Sequence, residues 1–169
     1  MLSLRPYKPC DAACISSWIR DEYALRQWSA DRFGSFPITA ENINDKYIRN
    51  NGDCAEEDNF YPFTAVDENG NNVGHLIMRY TDVERKVLRF GFVIVDDRKR
   101  GRGYGKEMLR LALRYAFDIY VAEKVTLGVF ENNPAAYHCY KAVGFRETAE
   151  HESLYYDCMG EHWKCIELE

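Results

Sequence analysis

Residues 98–106 read Arg-Lys-Arg-Gly-Arg-Gly-Tyr-Gly-Lys, a run of cations and glycines between two segments of different periodicity. The apolar run from Val87 to Val95 predicts a strand, and the apolar residues between Leu109 and Tyr120 recur at helical spacing. A helix N-terminus leaves backbone N–H groups unpaired and carries the positive end of the helix dipole. Glycines let the backbone approach an anion without a Cβ in the way. The stretch therefore predicts a phosphate-binding turn between a strand and a helix.

Individual residues exclude two familiar phosphate-binding motifs. The Walker loop requires glycine where Arg100 stands and a hydroxyl residue where Glu107 stands. The dinucleotide-binding motif Gly-x-Gly-x-x-Gly fails because Gly101, Gly103 and Gly105 alternate. The pattern that fits is Arg-x-x-Gly-x-Gly. A flexible basic turn without a ligand is the competing interpretation.

Composition restricts the class of protein and of ligand. A chain of 169 residues fits a single domain, residues 1–169. Its net charge of −5 disfavours a nucleic-acid partner, so the cationic run predicts a small polyanionic ligand. The chain lacks an apolar run of about 18 residues and a basic-then-apolar leader, so we expect a cytoplasmic protein without a membrane partner. Six scattered cysteines without zinc-like spacing predict free thiols and no metal.

The other periodic segments predict a mixed α+β chain. A first strand is expected over 2–5, and a helix capped by Asp11 would run through Ile19 and as far as Trp28. Thr39 opens a second helix. Gly91 in the long strand predicts a bulge or a close backbone approach. The remaining expected elements are the strands 60–66, 73–80 and 124–130, the helix 134–143, and a last hairpin turning at 159–161.

A second block of residues lies downstream of the cationic turn. It has the spacing Asn-x-x-Ala-x-x-x-Tyr-x-x-x-Gly-Phe, formed by Asn133, Ala136, Tyr140, Gly144 and Phe145. Together with Val-Asp followed by Arg-Gly-x-Gly-x-Gly-Lys, this block resembles the GNAT superfamily of N-acetyltransferases over residues 90–145. The resemblance implies a mixed, mostly antiparallel central sheet flanked by helices, with two neighbouring strands splayed into a V.

The resemblance also implies acetyl-CoA as cosubstrate and assigns roles to individual residues. The backbone of Val93, Ile94 and Val95 would hold the pantetheine. Tyr140 would donate a proton to the departing thiolate, although a half-buried helical tyrosine that only packs is the alternative. Asn133 would contact the pantetheine or pyrophosphate arm of the cofactor. The alternative is that Asn133 only caps the helix and contacts no ligand. The remaining cofactor-binding residues would be Arg100, Gly101, Arg102, Gly103, Tyr104, Gly105 and Lys106.

The reaction implied is direct attack of a primary amine on the thioester, with a backbone N–H near Val95 stabilising the oxyanion. The acceptor would be a small molecule or a protein amine, and the acid-rich composition favours a cationic one.

Many relatives carry a glutamate on the strand before the turn, where residues 89–92 read Arg-Phe-Gly-Phe here. Acyl-cysteine chemistry at Cys139 is disfavoured. A non-catalytic acyl-CoA sensor and a homodimer stay open alternatives. For the base that deprotonates the amine, the sequence offers four candidate carboxylates and does not distinguish among them: Glu56, Asp82, Glu84 and Asp157.

Overall fold

A seven-stranded sheet runs through the computed structural model, which describes residues 1–149 and 153–169. The strand order is β1-β2-β3-β4-β5-β7-β6. Every neighbouring pair is antiparallel except β4 and β5, which run parallel. The expected mixed, mostly antiparallel sheet is therefore confirmed. The strands are β1 Ser3–Pro6, β2 Tyr61–Val66, β3 Asn72–Tyr80, β4 Val87–Val95, β5 Lys124–Phe130, β6 Leu154–Cys158 and β7 Glu161–Leu168.

Helices cover both faces of this sheet. They are α1 Asp11–Ser17, α2 Glu22–Ser29, α3 Ala40–Asn44, α4 Tyr104–Arg114 and α5 Pro134–Ala142. Helices α3 and α4 each continue into a π-helical turn, Asp45–Arg49 and Tyr115–Ile119, and short 3-10 turns lie at Asn51–Asp53 and Asp97–Lys99. Thr39 and Asn42 form the reciprocal capping box that starts α3. The predicted opening of this helix is confirmed.

The single helix expected to start at Asp11 is wrong in two respects. The chain leaves the helix at Trp18 and restarts as α2, because Asp21 caps the new helix by accepting a hydrogen bond of 2.7 Å from the Ala24 N–H. Asp11 is the first residue of α1 and not its cap.

The carboxylate of Asp11 instead joins α1 to the sheet. Asp11 is buried and accepts hydrogen bonds from the Arg5 guanidinium at 2.7 and 2.8 Å, the Thr64 hydroxyl at 2.8 Å and the Asn72 amide at 3.0 Å. Burial alone would raise the pKa of Asp11, but these hydrogen bonds hold that pKa well below its usual range. Asp11 therefore stays ionised and fixes the first helix against β1, β2 and β3.

Each face of the sheet has its own apolar core. On β3, Leu76 and Met78 pack in the cluster that contains α4, whereas Ile77 packs in the cluster formed by α1, α2 and α3. Successive side chains of a strand point to opposite faces, so the alternation along β3 separates the two cores. The sheet thereby holds α2 and α4 on opposite faces.

Strands β4 and β5 diverge partway along their length. They pair at only three positions, the last of which is Arg89 with Thr126, and from Leu127 onward β5 pairs with β7. Strand β4 also bulges: its register with β3 shifts, and Phe92 adopts a left-handed φ of 48°. Of the two alternatives expected at Gly91, a bulge or a close backbone approach, the bulge is present but falls on the next residue. The divergence is the V-shaped splay expected from the sequence, which is confirmed.

Three further features follow directly from the structure. All six cysteines are free thiols, as expected. Within residues 1–149 and 153–169, no helix is long and apolar enough to cross a bilayer. The same residues contain no group of three or more His, Cys, Asp or Glu side chains arranged to hold a metal ion.

Candidate active site

A cavity of about 530 Å³ occupies the gap between β4 and β5. Its walls come from α2, the second half of β4, the glycine-rich turn, the start of α4 and one side of α5. Small-molecule sites in proteins enclose roughly 300–1,000 Å³, so this cavity is large enough for a cofactor-sized ligand.

The glycine-rich turn forms one end of the cavity. Gly101 and Gly103 adopt left-handed φ values of 78° and 86°, and a Cβ built on either would meet nothing within 4 Å. Gly103 precedes α4 and offers no side chain to cap it, so the N–H groups of the first helical turn are open to a ligand. The backbone there is shaped to receive an anion.

Two of the five cations in this segment have protein partners. The Arg98 guanidinium donates hydrogen bonds of 3.0 and 3.1 Å to the buried carboxylate of Asp96, and Lys99 lies 3.7 Å from Asp67. Burial opposes the charge on Asp96, yet the hydrogen bonds from Arg98 lower the pKa of that carboxyl. These contacts hold the turn in place.

The other cations differ in their position relative to the cavity. Arg100 and Lys106 line it, together with Gly101, Gly103, Tyr104 and Gly105. Neither Arg100 nor Lys106 forms an ion pair with any residue that the structure describes. Arg102 is exposed and does not line the cavity, so its assignment as a cofactor residue stays a prediction without geometric support.

Val93, Ile94 and Val95 line the same cavity along β4. On one side this part of β4 is paired with β3, as shown by Ile94 opposite His75. On the other side β5 has diverged, so the backbone edge of β4 faces the gap. Free N–H and C=O groups at this edge suit a ligand that carries amide groups, because a buried backbone group needs a partner.

Asn133 caps α5 and also lines the cavity. Its side-chain oxygen accepts a hydrogen bond of 3.3 Å from the Ala136 N–H, and Pro134 is the first residue of the helix. The neighbouring Asn132 accepts a hydrogen bond of 3.1 Å from the Gln27 side chain of α2. Asn133 therefore caps α5 and lines the cavity at the same time.

Tyr140 of α5 is buried and lines the cavity. Its ring packs edge-on against Phe145 with a centroid distance of 6.4 Å. Within the described part of the chain, no hydrogen bond engages the Tyr140 hydroxyl. Burial raises the pKa of Tyr140, so the phenol stays protonated and retains a proton to donate.

Cys139 and His138 also border the cavity. Burial raises the pKa of Cys139, so the sulfur is held as a thiol and is not activated as a nucleophile. A Cβ on Gly105 would lie 3.2 Å from the Cys139 sulfur, which shows how closely α4 and α5 approach. That no acyl-cysteine forms stays a prediction.

A side cavity of about 130 Å³ opens from the main one. The two share Gln27 and Trp28 of α2, Phe90, Gly91 and Phe92 of β4, and Gly128 and Val129 of β5. Three arginines line the side cavity, Arg32, Arg79 and Arg89. The lining residues that the structure describes include no Asp or Glu in either cavity. The side cavity is thus cationic, against the expectation of a site for a cationic amine.

Sequence reasoning missed this arginine set, although a trace of it is visible in the sequence. Arg79 and Arg89 interrupt otherwise apolar strands at positions that alternate with core residues. An unpaired charge on a strand face that should be buried is unusual. Only the observed register, which places Arg79 opposite Arg89, brings the two guanidinium groups together.

None of the four candidate bases lines either cavity. Asp82 accepts hydrogen bonds from backbone N–H groups of the β3–β4 turn, and Glu84 lies 3.1 Å from Lys86. The other two form surface pairs, Glu56 with Arg85 and Asp157 with His162. None of the four is therefore placed in either cavity to deprotonate the amine.

Comparison with known proteins gives consistent matches. A model of the acetyltransferase (GNAT) family matches residues 21–145. An uncharacterised N-acetyltransferase of the SPbeta prophage in Bacillus subtilis is 29% identical over 168 residues, which cover 94% of this chain and 88% of that protein. A spermidine N(1)-acetyltransferase of Vibrio cholerae is 25% identical, covering 86% of this chain and 79% of its own length.

Solved structures share the fold. A crystal structure of spermidine N-acetyltransferase from Vibrio cholerae, in complex with CoA and spermine, superposes with a TM-score of 0.79. The superposition covers 99% of this chain and 93% of that one at 21% identity. At this identity the likeness extends to the arrangement of helices and strands.

Proposed function

This chain belongs to the GNAT family of acetyltransferases and transfers an acetyl group from acetyl-CoA to an amine; we propose that transfer takes place by direct attack in the gap between β4 and β5. One observation carries the proposal. The main cavity is lined by the turn at Gly101–Lys106, which is shaped to receive an anion, and by Tyr140, and it shares lining residues with the side cavity.

The cavity matches the parts of acetyl-CoA in order. The pyrophosphate is assigned to the N–H groups at the start of α4, with Arg100 and Lys106 supplying charge. The pantetheine is assigned to the free edge of β4 from Val93 to Val95, where its amides replace the missing strand. Asn133 is placed beside this arm.

Acetyl-CoA supplies the thioester whose carbonyl carbon is attacked. The amine nitrogen forms a bond to that carbon, and a backbone N–H near Val95 stabilises the negative charge that the carbonyl oxygen takes up. The carbon–sulfur bond then breaks, and the sulfur leaves with the bonding electron pair. We assign the proton that the sulfur takes up to the Tyr140 hydroxyl, whose burial keeps it protonated until that moment. The proton lost by the amine passes to water, and Tyr140 is reprotonated from solvent, so atoms and charge balance.

The amine must be neutral to attack, and no described carboxylate lines the cavity to deprotonate it. The cationic lining offers a substitute. A positive charge nearby disfavours the ammonium form, so the guanidinium of Arg79, which has no carboxylate partner among the described residues, favours the neutral form of an amine beside it. We therefore assign the role of base to water.

The test combines a binding and a turnover measurement. Acetyl-CoA at saturation is expected to raise the melting temperature, because a ligand that binds only the folded state stabilises it by mass action. Thiol release from acetyl-CoA is then followed with a panel of primary amines. An unchanged melting curve contradicts the cofactor assignment. Binding without thiol release for any amine, with Tyr140→Phe indistinguishable from wild type, indicates the non-catalytic acyl-CoA sensor.

The named relatives suggest the first acceptors for that panel. One of them is a spermidine N(1)-acetyltransferase, and the superposed crystal structure contains spermine. Spermidine and spermine therefore belong in the panel, beside amines of other charge. The homodimer expected from the sequence stays a prediction, which light scattering tests.

A further inference from the structure

We propose that the acceptor is a small amine that also carries a carboxylate, and that Arg79 binds this carboxylate in the side cavity. The inference rests on the proposed function, because it concerns the acceptor of the same reaction. It names a class of substrate, amino acids and related amino carboxylates.

Arg79 is the central observation. It lies near the end of β3, half-buried, with its side chain lining the side cavity. No carboxylate within residues 1–149 and 153–169 forms an ion pair with it. Burial lowers the pKa of Arg79, and the nearby guanidinium groups of Arg89 and Arg32 lower it further. A guanidinium is nevertheless always charged at neutral pH, so this position carries a cation that lacks a counterion.

Its neighbour Arg89, in contrast, has a counterion. Arg89 faces Arg79 across the β3–β4 pair and forms a two-point ion pair with Glu167, at 2.7 and 2.9 Å. Glu167 thus neutralises one guanidinium of the three that line the cavity. Arg79 and Arg32 leave the pocket with an uncompensated positive charge, which an anionic group of a ligand would balance.

Trp28 provides an independent observation at the same place. Its ring borders both the side cavity and the main one, and its buried indole N–H has no acceptor among the described residues. Buried N–H groups almost always have a partner. The junction of the two cavities thus offers one further hydrogen-bond donor that has no described partner.

This arrangement selects for a carboxylate and against a polycation. A guanidinium presents parallel N–H donors that match the two oxygens of a carboxylate. A polyamine would instead place ammonium groups beside Arg79 and Arg89 without a described carboxylate to receive them. The side cavity of about 130 Å³ suits the compact body of an amino acid better than an extended chain.

The carboxylate would also place the amine. If the anionic end binds at Arg79, the amino group lies toward Gly91 and Phe92, which both cavities share. That junction leads to the cavity wall where Tyr140 lies. Binding of the carboxylate compensates the charge of Arg79, so this guanidinium serves to place the amine, and water takes up the proton that the amine loses.

The experiment compares matched acceptors. A set of L-amino acids, the corresponding amino acid amides, spermidine and spermine is offered to wild type, Arg79→Gln and Arg114→Gln with saturating acetyl-CoA. Arg114 is an exposed arginine of α4 outside both cavities and serves as the control. Binding is followed in parallel as the melting-temperature shift that each amine adds to the CoA complex.

We expect at least one amino acid to exceed its own amide in kcat/KM by about 10- to 100-fold in wild type, the range for a hydrogen bond to a charged group. Arg79→Gln is expected to abolish that preference while retaining the acetyl-CoA shift, and Arg114→Gln to keep it. A preference for polyamines, or equal rates for acids and amides, overturns the inference and leaves the acetyltransferase intact. If no amine is turned over, the proposed function is contradicted instead. The melting-temperature measurement then tests the acceptor class: amino acids that add no shift to the CoA complex overturn the inference.

Discussion

The guanidinium of Arg89 and the carboxylate of Glu167 form two hydrogen bonds, of 2.7 and 2.9 Å, that join β4 to β7 past Gly128 of β5. The pair lies where β4 and β5 stop pairing, at the base of the V. It holds the two arms of the sheet together on the side where the acceptor cavity opens. It also leaves Arg79, the cross-strand neighbour of Arg89, without a carboxylate.

Gly128 is required for this pair. A Cβ at Gly128 would lie 2.9 Å from an Arg89 nitrogen, 2.9 Å from the Cys165 sulfur and 3.0 Å from a Glu167 oxygen. Gly128→Ala is therefore expected to separate the ion pair and to lower the free energy of unfolding by about 1–3 kcal/mol, as overpacking does. Urea denaturation measures this. Gly34→Ala is the control, because its Cβ would meet nothing within 4 Å; equal effects of the two changes would contradict the role given to Gly128.

The glycine turn can be tested with a second matched pair. Gly103 and Gly70 both have a left-handed φ, 86° and 80°, and open space at the Cβ position, but only Gly103 lines the main cavity. Gly103→Glu and Gly70→Glu should suffer similar backbone strain. Only Gly103→Glu should abolish the melting-temperature shift caused by acetyl-CoA, since its carboxylate repels the pyrophosphate. A shift that survives in Gly103→Glu counts against the pyrophosphate assignment.

Tyr140→Phe removes the proposed proton donor without opening a cavity. We expect kcat to fall by about 10²-fold or more, the usual contribution of a general acid, with little change in the KM for acetyl-CoA. Tyr137→Phe on the same helix is the control, since the Tyr137 hydroxyl bonds to Glu147 and does not line the cavity. Steady-state thiol release measures both variants. A Tyr140→Phe enzyme with the wild-type kcat would show that another group donates the proton to the departing sulfur.

His75 predicts how stability depends on pH. It is fully buried with its Nε2 at 2.7 Å from the Tyr47 hydroxyl, and burial lowers the pKa of His75 from 6.5 to about 3. Below pH 6.5 the unfolded chain binds a proton at this site and the folded chain does not. The free energy of unfolding therefore falls as pH falls from 6.5 toward 3, by at most about 1.4 kcal/mol per pH unit from this group.

Denaturation between pH 6.5 and 4.5 isolates that contribution. Carboxyl groups with lowered pKa, such as Asp11 and Asp96, act mainly below this range, because unfolded carboxyls titrate near pH 4. His75→Gln should flatten the slope, and His138→Gln, an exposed change on α5, should retain it. An unchanged slope in His75→Gln would show that another group causes the dependence.

Local sequence patterns predicted most of the helices and strands. The strands at Val87–Val95 and Lys124–Phe130 agree with the predicted bounds to the residue, since both runs are rich in β-branched and apolar residues. The helix break at Trp18 escaped prediction because the apolar spacing continues through it, while the decisive contact is the short-range cap at Asp21. Two helices joined by a capped break look periodic from the sequence alone.

The two halves of the site differ in how far the sequence reveals them. The turn from Gly101 to Lys106 is contiguous, so its backbone conformation follows from the glycines themselves. The acceptor end is assembled from Trp28, Arg32, Arg79 and Arg89 on separate elements, and their proximity depends on strand register and on where α2 packs. Long-range placement of this kind leaves no local pattern.

The central claim is that acetyl-CoA bound between β4 and β5 gives its acetyl group directly to an amine. The most direct measurement follows free thiol and acetylated amine in the same reaction, by thiol titration and mass spectrometry of the small molecules and of the intact protein. The account predicts equal amounts of thiol and acetylated amine, no acetylated protein, and loss of both products in Gly103→Glu. Thiol released without acetylated amine, or an acetyl group retained on the protein, would contradict it.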